Sequence, residues 1–337
     1  MTLRICVVGC GNIAQQYHGP SLQKYVSMRP DVELSACCDL DVAKARTFQE
    51  KYGVLRLYSD IDEMLDRETP DGVFLFLREH LLCPMGIKVL LRGIPLFLEK
   101  PPGQNTQELD RLIEAAGHRN TPVQVGFNRR YMPIINYLKQ KLDGFPAGMI
   151  QHIQYDFVRF GRYDKDFSWT AIHGIDTVRY LAGCDYKLVR FSYRLFPELG
   201  PTIANVYMDC ELGNGATAHL NFSPVAGVTV ERIAIHLLDH TFFLKLPVWN
   251  AYDFPGELEH IQHGKLIEKI RGCDISPRGE SFVLQGFYDE DADFLDRIQN
   301  GIDPVVTLRN AHQSLEIADA IRLRQITYHI EQQSPVP

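Results

Sequence analysis

The chain has 337 residues, enough for two domains with sizeable cores, and its 45% hydrophobic and 23% charged residues are those of an ordinary globular protein. A formal net charge of −7 with no Lys/Arg run argues against binding a nucleic-acid backbone. Eight scattered cysteines with no C-x-x-C pair, no basic-then-apolar leader and no apolar run of about eighteen residues point to a reducing cytoplasm, without disulfides, secretion or a membrane span.

The first element is an apolar strand, Ile5-Cys6-Val7-Val8, which stops at Gly9-Cys10-Gly11-Asn12-Ile13-Ala14. Between a strand and a helix, this G-x-G-x-x-A pattern describes a dinucleotide pyrophosphate site. Gly9 permits the tight turn, Gly11 lets the backbone approach the phosphates, and Ala14 lets helix and strand pack closely. The helix that follows, toward Tyr25, turns its free N–H groups and dipole to the phosphate charge. Glycine-rich turns also occur without a ligand, so the pattern takes its weight from the segments after it.

Residues 1–125 alternate strand-like and helix-like segments, as a parallel sheet covered by helices on both faces requires. Pro30-Asp31 leads into a strand over Val32–Cys38 that ends at Asp39, within one βαβ unit of ~30 residues from Gly9. Asp39 is placed either to accept hydrogen bonds from the adenosine ribose or to cap the helix beginning near Val42; beside the glycine loop the ribose reading is the stronger. A carboxylate there repels a 2′-phosphate, and the next residue is Leu40 rather than Arg, so NAD is expected over NADP.

A short strand near 54–57 and a helix near 60–65 precede the turn Pro70-Asp71-Gly72 and the strand Val73–Leu77. Ligands in such sheets gather beyond the carboxyl ends of the strands, so Leu77, Arg78, Glu79 and His80 are expected to face the cofactor. His80 reads equally well as a plain helix-start residue. A helix over Leu81–Arg92 and a strand over Pro95–Leu98 lead to Glu99-Lys100-Pro101-Pro102. This places an ammonium on a stiff turn at the ligand edge, where burial and neighbours lower an amine's pKa toward use in proton transfer. A cis proline bond there would fix the lysine's direction. The plain alternative is a surface Glu-Lys pair, and the matching topology of the glycine loop favours the first reading.

With VVGCGNIA at the start, Cys38-Asp39, the Glu99-Lys100-Pro101 triplet, VQVGFNRRY at 123–131 and the closing run FYDEDADFLDRIQNG followed by LRNAHQSLEIADAI, the chain resembles the glucose–fructose oxidoreductase / inositol dehydrogenase / MocA family. The resemblance implies an α/β protein with a doubly wound Rossmann domain, residues 1–125, and an α+β domain, residues 126–337, carrying a large open sheet. It also implies an NAD(P)-dependent dehydrogenase acting on a CH–OH group of a sugar, cyclitol or sugar derivative, often as a homodimer or homotetramer built across that sheet. The cofactor residues expected are Gly9, Gly11, Asn12, Ile13, Ala14, Asp39, Leu77, Arg78, His80, Glu99, Lys100 and, near the nicotinamide by resemblance, Asn128. Glu99 is expected to hold Lys100 in place.

Gly126–Tyr131 is read as entering a helix that runs to about Leu142, with Arg129 fixing a domain interface or meeting an anionic substrate. Residues 149–160 alternate as a strand, and a polar loop over Gly161–Ser168 follows. In the helix after it His173, Asp176 and Tyr180 share one face, with Ile172, Ile175, Val178 and Leu181 on the neighbouring one. In the family this helix carries an Asp-x-x-x-His pair; here His173 takes the histidine position and Trp169 the aspartate position. Asp164, Asp166 or Thr170 is left to stand in for that carboxylate. The catalytic pair is read as Lys100 and His173, although a lone helical histidine is more often a core residue. Arg129, Trp169, Thr170 and Asp176 are the substrate-side candidates.

Past residue 187 a meander is expected over 187–196, 203–212, 216–223, 229–238 and 241–246, with Gly213-Asn214-Gly215 as a hairpin turn and the sheet mostly antiparallel. His260 and His263 are read as solvent-facing rather than metal ligands, and no metal is expected. The stretch 247–281 is expected to be irregular, and helices near 282–299 and 308–330 to close the fold. Two other readings stay open: a dinucleotide-binding regulator without hydride chemistry, suggested by Trp169, and a lyase or glycosidase that retains its NAD.

Overall fold

Arg4 apart, every residue of the first strand, β1 (Leu3–Val8), is buried, because strands flank it on both sides and a parallel sheet is covered on both faces. The computed structural model describes residues 2–146, 148–277 and 279–330. From β1 the chain runs through a π-helical turn (Ala14–His18), α1 (Gly19–Met28), β2 (Val32–Cys38), α2 (Val42–Tyr52), β3 (Arg56–Tyr58) and α3 (Ile61–Glu68). It continues with β4 (Gly72–Leu75), α4 (Glu79–Leu91), β5 (Leu96–Glu99), α5 (Thr106–Gly117), β6 (Val123–Gly126) and a 3₁₀ turn (Asn128–Tyr131). The six strands pair in parallel in the order β3-β2-β1-β4-β5-β6, the doubly wound Rossmann arrangement that reverses between β1 and β4. Local chemistry sets the helix ends. Asp41 accepts from the N–H groups of Ala43 and Lys44 to start α2, Gly53 ends it with a left-handed backbone, and Asp60 caps α3.

The second series is α6 (Pro133–Asp143), β7 (Ile150–Phe160), α7 (Ser168–Ala182), β8 (Tyr186–Leu195), β9 (Ala204–Leu212), β10 (Thr217–Ala226), β11 (Val230–Leu237) and β12 (His240–Lys245). Then come β13 (Glu257–Gln262), β14 (Lys265–Arg271), the single turns α8 (Gly272–Ile275) and α9 (Ser281–Leu284), α10 (Phe287–Asn300), α11 (Leu308–Arg322) and β15 (Thr327–His329). Nine strands form one sheet in the order β14-β13-β12-β11-β7-β10-β9-β8-β15, antiparallel except for the β7–β10 pair. Its inner face buries Ile153, Tyr155, Phe157, Leu220, Phe222, Ile233 and Phe242. Helix α7 packs against β7 and β10 there, and Gly174 permits the approach: a Cβ at that position would stand 2.9 Å from the Phe222 ring. Under the same face Arg159 and Glu231 form a fully buried ion pair, and Tyr155 Oη donates to Glu231 at 2.6 Å.

The chain divides into two compact units, one holding the residues up to Tyr131 with Gly286–His312, the other Met132–Gln285 with the described residues from Gln313 on. The segment 286–312 thus lies in the first unit, whereas the sequence reading counts it in the second domain. The cause is apolar: Phe294 and Leu295 of α10 are fully buried in one cluster with Ile5, Val7, Phe74 and Phe97, and the Phe294 ring meets Phe74 edge-on at 5.2 Å. Residues 331–337, also counted in that second domain, lie outside the described residues.

Several expectations need correction. The stretch 247–281 is not irregular throughout, since it contains the β13–β14 hairpin. Ion pairs of Glu257 with Lys245 and Lys269, and of Glu259 with Lys269, replace an apolar pattern there, so no hydrophobic alternation announced it. His260 is buried in β13, its ring stacked 4.0 Å from Phe242 and bonded to His240; only His263 is exposed. The last helix stops at Arg322, and Thr327–His329 pairs with β8 instead. Residues 128–142 make a 3₁₀ turn and then α6, broken before Pro133. None of the eight cysteines is in a disulfide, and no helix among the described residues is long and apolar enough to cross a membrane.

Candidate active site

The carboxyl ends of β1, β2, β4, β5 and β6 bring one after another of the expected residues to a single edge of the first sheet. At β1, Gly9 has φ +92° and donates its N–H to the Cys38 carbonyl at 2.8 Å. A Cβ there would stand 2.4 Å from the Phe76 carbonyl oxygen, so the turn admits glycine alone. Gly11 differs: an added Cβ meets nothing within 4 Å, so the protein's own packing does not demand glycine. The open space beside it is the cradle a pyrophosphate requires, and with the helix start at Asn12 and Ile13 and the fully buried Ala14 the loop fits a dinucleotide.

Asp39 stands at the end of β2, half-buried, and braces this loop. Its Oδ2 accepts from Cys10 N at 2.8 Å and its Oδ1 from Asp41 N at 2.9 Å. The cap of α2 is Asp41, not Asp39. Each Asp39 oxygen accepts one backbone N–H, which leaves lone pairs for ribose hydroxyls. Beyond β4, Leu77 is half-buried, Arg78 is exposed at the start of α4, and Glu79 and His80 lie on its first turn. Asn128, past β6, is buried and accepts from Arg129 Nη1 at 3.2 Å; Arg129 is buried as well.

Lys100 follows β5 directly. It is half-buried, its bond to Pro101 is cis, and its backbone N–H donates to Glu99 Oε2 at 3.1 Å. The other oxygen of Glu99 meets His18 Nε2 at 2.9 Å, and His18 Nδ1 meets Asp291 Oδ1 at 2.9 Å. His18 has no exposed surface, and the Phe76 ring stacks on it at 4.0 Å. Burial pulls the His18 pKa down, but the charge and hydrogen bonds of Asp291 and then Glu99 outweigh it and raise it to about 9. The neighbouring Glu290 is buried, with no hydrogen-bond partner on either carboxyl oxygen among the described residues. Burial, then Asp291 and Glu99, push its pKa well above the ordinary carboxylate range; burial also raises Asp291, against the pull of His18. His18, Glu290 and Asp291 have donor atoms within 4.8 Å of one another. Sequence reasoning missed this cluster. His18 is 81 residues from Glu99 and 273 from Asp291 along the chain, and no local pattern links them.

In the second unit, α7 carries Trp169, Thr170, His173 and Asp176. His173 and Asp176 are buried, Trp169 and Thr170 half-buried. Asp176 accepts from Ser314 Oγ at 3.2 Å, and Tyr180 Oη donates to Asn136 at 3.1 Å. The acids considered as substitutes for the family aspartate are both engaged: Asp164 pairs with Arg162 at 2.8 Å, and Asp166 accepts from the Ser168 N–H at 2.9 Å. Thr170 Oγ1 accepts from Arg162 at 3.2 Å.

Comparison with known proteins agrees with this fold. Residues 3–127 match the GFO/IDH/MocA model, described as an oxidoreductase family with an NAD-binding Rossmann fold. An inositol 2-dehydrogenase of Burkholderia ambifaria is 30% identical over 200 residues, which cover 57% of this chain and 58% of that protein. The match therefore spans less than two thirds of that relative's length. The structure of a dehydrogenase from Clostridium difficile superposes with a TM-score of 0.81 at 20% identity, covering 96% of this chain and 100% of that one. A levoglucosan dehydrogenase in complex with NADH and levoglucosan gives 0.82 at 17% identity, covering 98% and 100%. At those identities the structures show a shared fold. Residues 3–127 are thus similar to the GFO/IDH/MocA oxidoreductase family with its NAD-binding Rossmann fold.

Proposed function

We propose that the chain is an NAD-dependent dehydrogenase that moves hydride between the nicotinamide and a hydroxyl or carbonyl of a sugar, cyclitol or sugar derivative. The observation that carries this reading is a single sheet edge that holds a loop fit for pyrophosphate, a ribose-side carboxylate and a lysine on a braced turn. The names of the relatives, inositol and levoglucosan dehydrogenases, support the substrate class. Bound nicotinamide supplies the hydride acceptor or donor. Hydride leaves carbon only as the hydroxyl proton departs, so a base within hydrogen-bond reach has to take that proton. Lys100 is assigned this role, and as an ammonium it stabilises the alkoxide in either direction. His173 is assigned to proton transfer as well. Asn12, Ile13, Leu77, Arg78, His80 and Asn128 are assigned to the cofactor, and Arg129, Trp169, Thr170 and Asp176 to the substrate. The polar outer face of the nine-stranded sheet is the surface we assign to a homodimer or homotetramer, tested by sedimentation.

Nicotinamide absorbance, followed with purified protein against a panel that includes myo-inositol and levoglucosan, tests the reading. Reduction of NAD by a member of the panel supports it. Tight nucleotide binding with no redox change favours a regulator, the reading that Trp169 in the aspartate position suggests. NAD that co-purifies and is regenerated in each cycle favours a lyase or glycosidase.

Asp39 decides the choice of nucleotide. Asp39→Ser is expected to weaken NADH binding about tenfold, the cost of losing charge-assisted hydrogen bonds, and to narrow the preference over NADPH. Fluorescence titration with both nucleotides checks this. An equal loss for the two would mean that the carboxylate only braces Cys10.

A further inference from the structure

The first unit contains a buried polar cluster that hydride transfer does not itself call for. His18 closes the π-helical turn that leads out of the glycine loop, Glu99 ends β5, and Asp291 and Glu290 come from α10. The imidazole stands between two carboxylates, 2.9 Å from each, so both ring nitrogens are committed. Burying one histidine among three carboxyl groups costs stability unless their charges offset one another, and a fold retains such a group where it sets a geometry. Here the geometry is that of one turn: the Glu99 oxygen not used by His18 holds the backbone N–H of Lys100 at 3.1 Å.

We propose that His18 is a positioning residue for Lys100: clamped by Asp291, it holds and neutralises Glu99, which in turn anchors the lysine's backbone. The inference deepens the reading of Lys100 as the proton-transfer group and rests on it. It also ties the helix that opens at the nucleotide loop to the turn that carries the amine.

The electrostatics give the proposal a sign. While His18 carries a proton, the charge of Glu99 is shared with it and acts less on the neighbouring ammonium. Remove the imidazolium, and the full carboxylate charge acts on Lys100, favours its protonated form and slows its reactions as an amine. The groups facing His18 are Glu99 from β5 and Asp291 and Glu290 from α10, with the charge of Arg129 felt at Glu290. Around them stand the rings of Phe76, Phe97 and Phe287.

Pulse labelling of full-length protein with acetic anhydride over a pH series, read at the Lys100 peptide by mass spectrometry with the other lysines as internal standards, tests this. His18→Gln is expected to slow labelling of Lys100 about fivefold at neutral pH and to move its midpoint upward. Asp291→Asn, whose amide keeps an acceptor for Nδ1 but loses the charge that holds the proton on His18, moves it the same way by less. Glu99→Gln keeps an acceptor for the Lys100 N–H and moves it the opposite way. Opposite signs at His18 and Glu99 are a result that a merely structural role does not produce. Labelling of Lys100 that is unchanged in all three variants, or that changes alike at every lysine, overturns the proposal. So does failure of both His18→Gln and Asp291→Asn to fold, which would make the cluster a structural one. Because labelling needs no turnover, its outcome is separate from whether Lys100→Met loses activity.

Discussion

Lys100→Met is expected to leave NADH affinity within about threefold of wild type and to lower turnover about a thousandfold, the usual worth of a positioned acid or base. Methionine keeps an unbranched stem of similar length, so the half-buried side chain is replaced with little change in packing. The hydrogen bond from residue 100 to Glu99 runs through the backbone N–H and survives the substitution. Every glycine of the nucleotide loop is untouched. What disappears is the amine, so the loss has to fall on kcat rather than on nucleotide binding. His173→Ala is expected to act in the same direction on turnover. His173 is buried in α7, and its truncation also leaves a cavity, so His173→Asn is the control that separates lost proton transfer from lost packing. Steady-state rates with the substrate found in the panel, beside NADH titrations, measure both. Near-normal turnover in Lys100→Met would refute its assignment.

The first sheet was largely legible because its signals are local. An apolar run that stops at a glycine turn, a carboxylate one βαβ unit later and a proline-stiffened Glu-Lys pair each need only a few neighbouring residues to be read. The meander was legible for the same reason: β8 to β12 begin and end within about three residues of the expected spans, because alternation and a Gly-Asn-Gly turn mark them. What failed was non-local. The β13–β14 hairpin is held by Glu–Lys pairs across strands, which leave no hydrophobic period, and β15 exists only because β8 offers it an edge. Helix α10 looks like any amphipathic helix until Phe294 is seen among Phe74 and Phe97. The His18 cluster is the extreme case. Its three elements are far apart in sequence, and of its residues Glu99 stands in the Glu-Lys-Pro triplet, but no motif spacing links it to His18 or Asp291.

That cluster also dictates how stability depends on pH. The His18 pKa is raised in the folded chain from 6.5 to about 9, so the fold binds a proton that the unfolded chain releases earlier. The stabilisation is fully present below about 6.5 and is lost as pH rises through 9, a difference of about 3 kcal/mol for a group with no exposed surface. Glu290 and Asp291 are raised too, so their contribution has the same sign and starts to fall at lower pH, from the ordinary carboxylate range upward. Glu290 and Asp291 apart, the other shifted groups act outside the window from 6.5 to 9. Burial lowers His152 and His260, whose effect belongs below 6.5, and raises the Cys6 and Cys38 thiols to about 12. The midpoint of urea unfolding should therefore fall steadily between pH 6.5 and 9 in the wild type. In His18→Gln the fall over that range should be shallower, the profile lying below the wild type at the acid end and closing on it near pH 9. Glu290→Gln, which removes a carboxyl whose charged form the interior does not accommodate, should keep the part of that slope that belongs to His18 and flatten the profile below it. A wild-type profile with no slope between pH 6.5 and 9 would mean that His18 is neutral in the fold, and that Glu99 keeps its whole charge for Lys100.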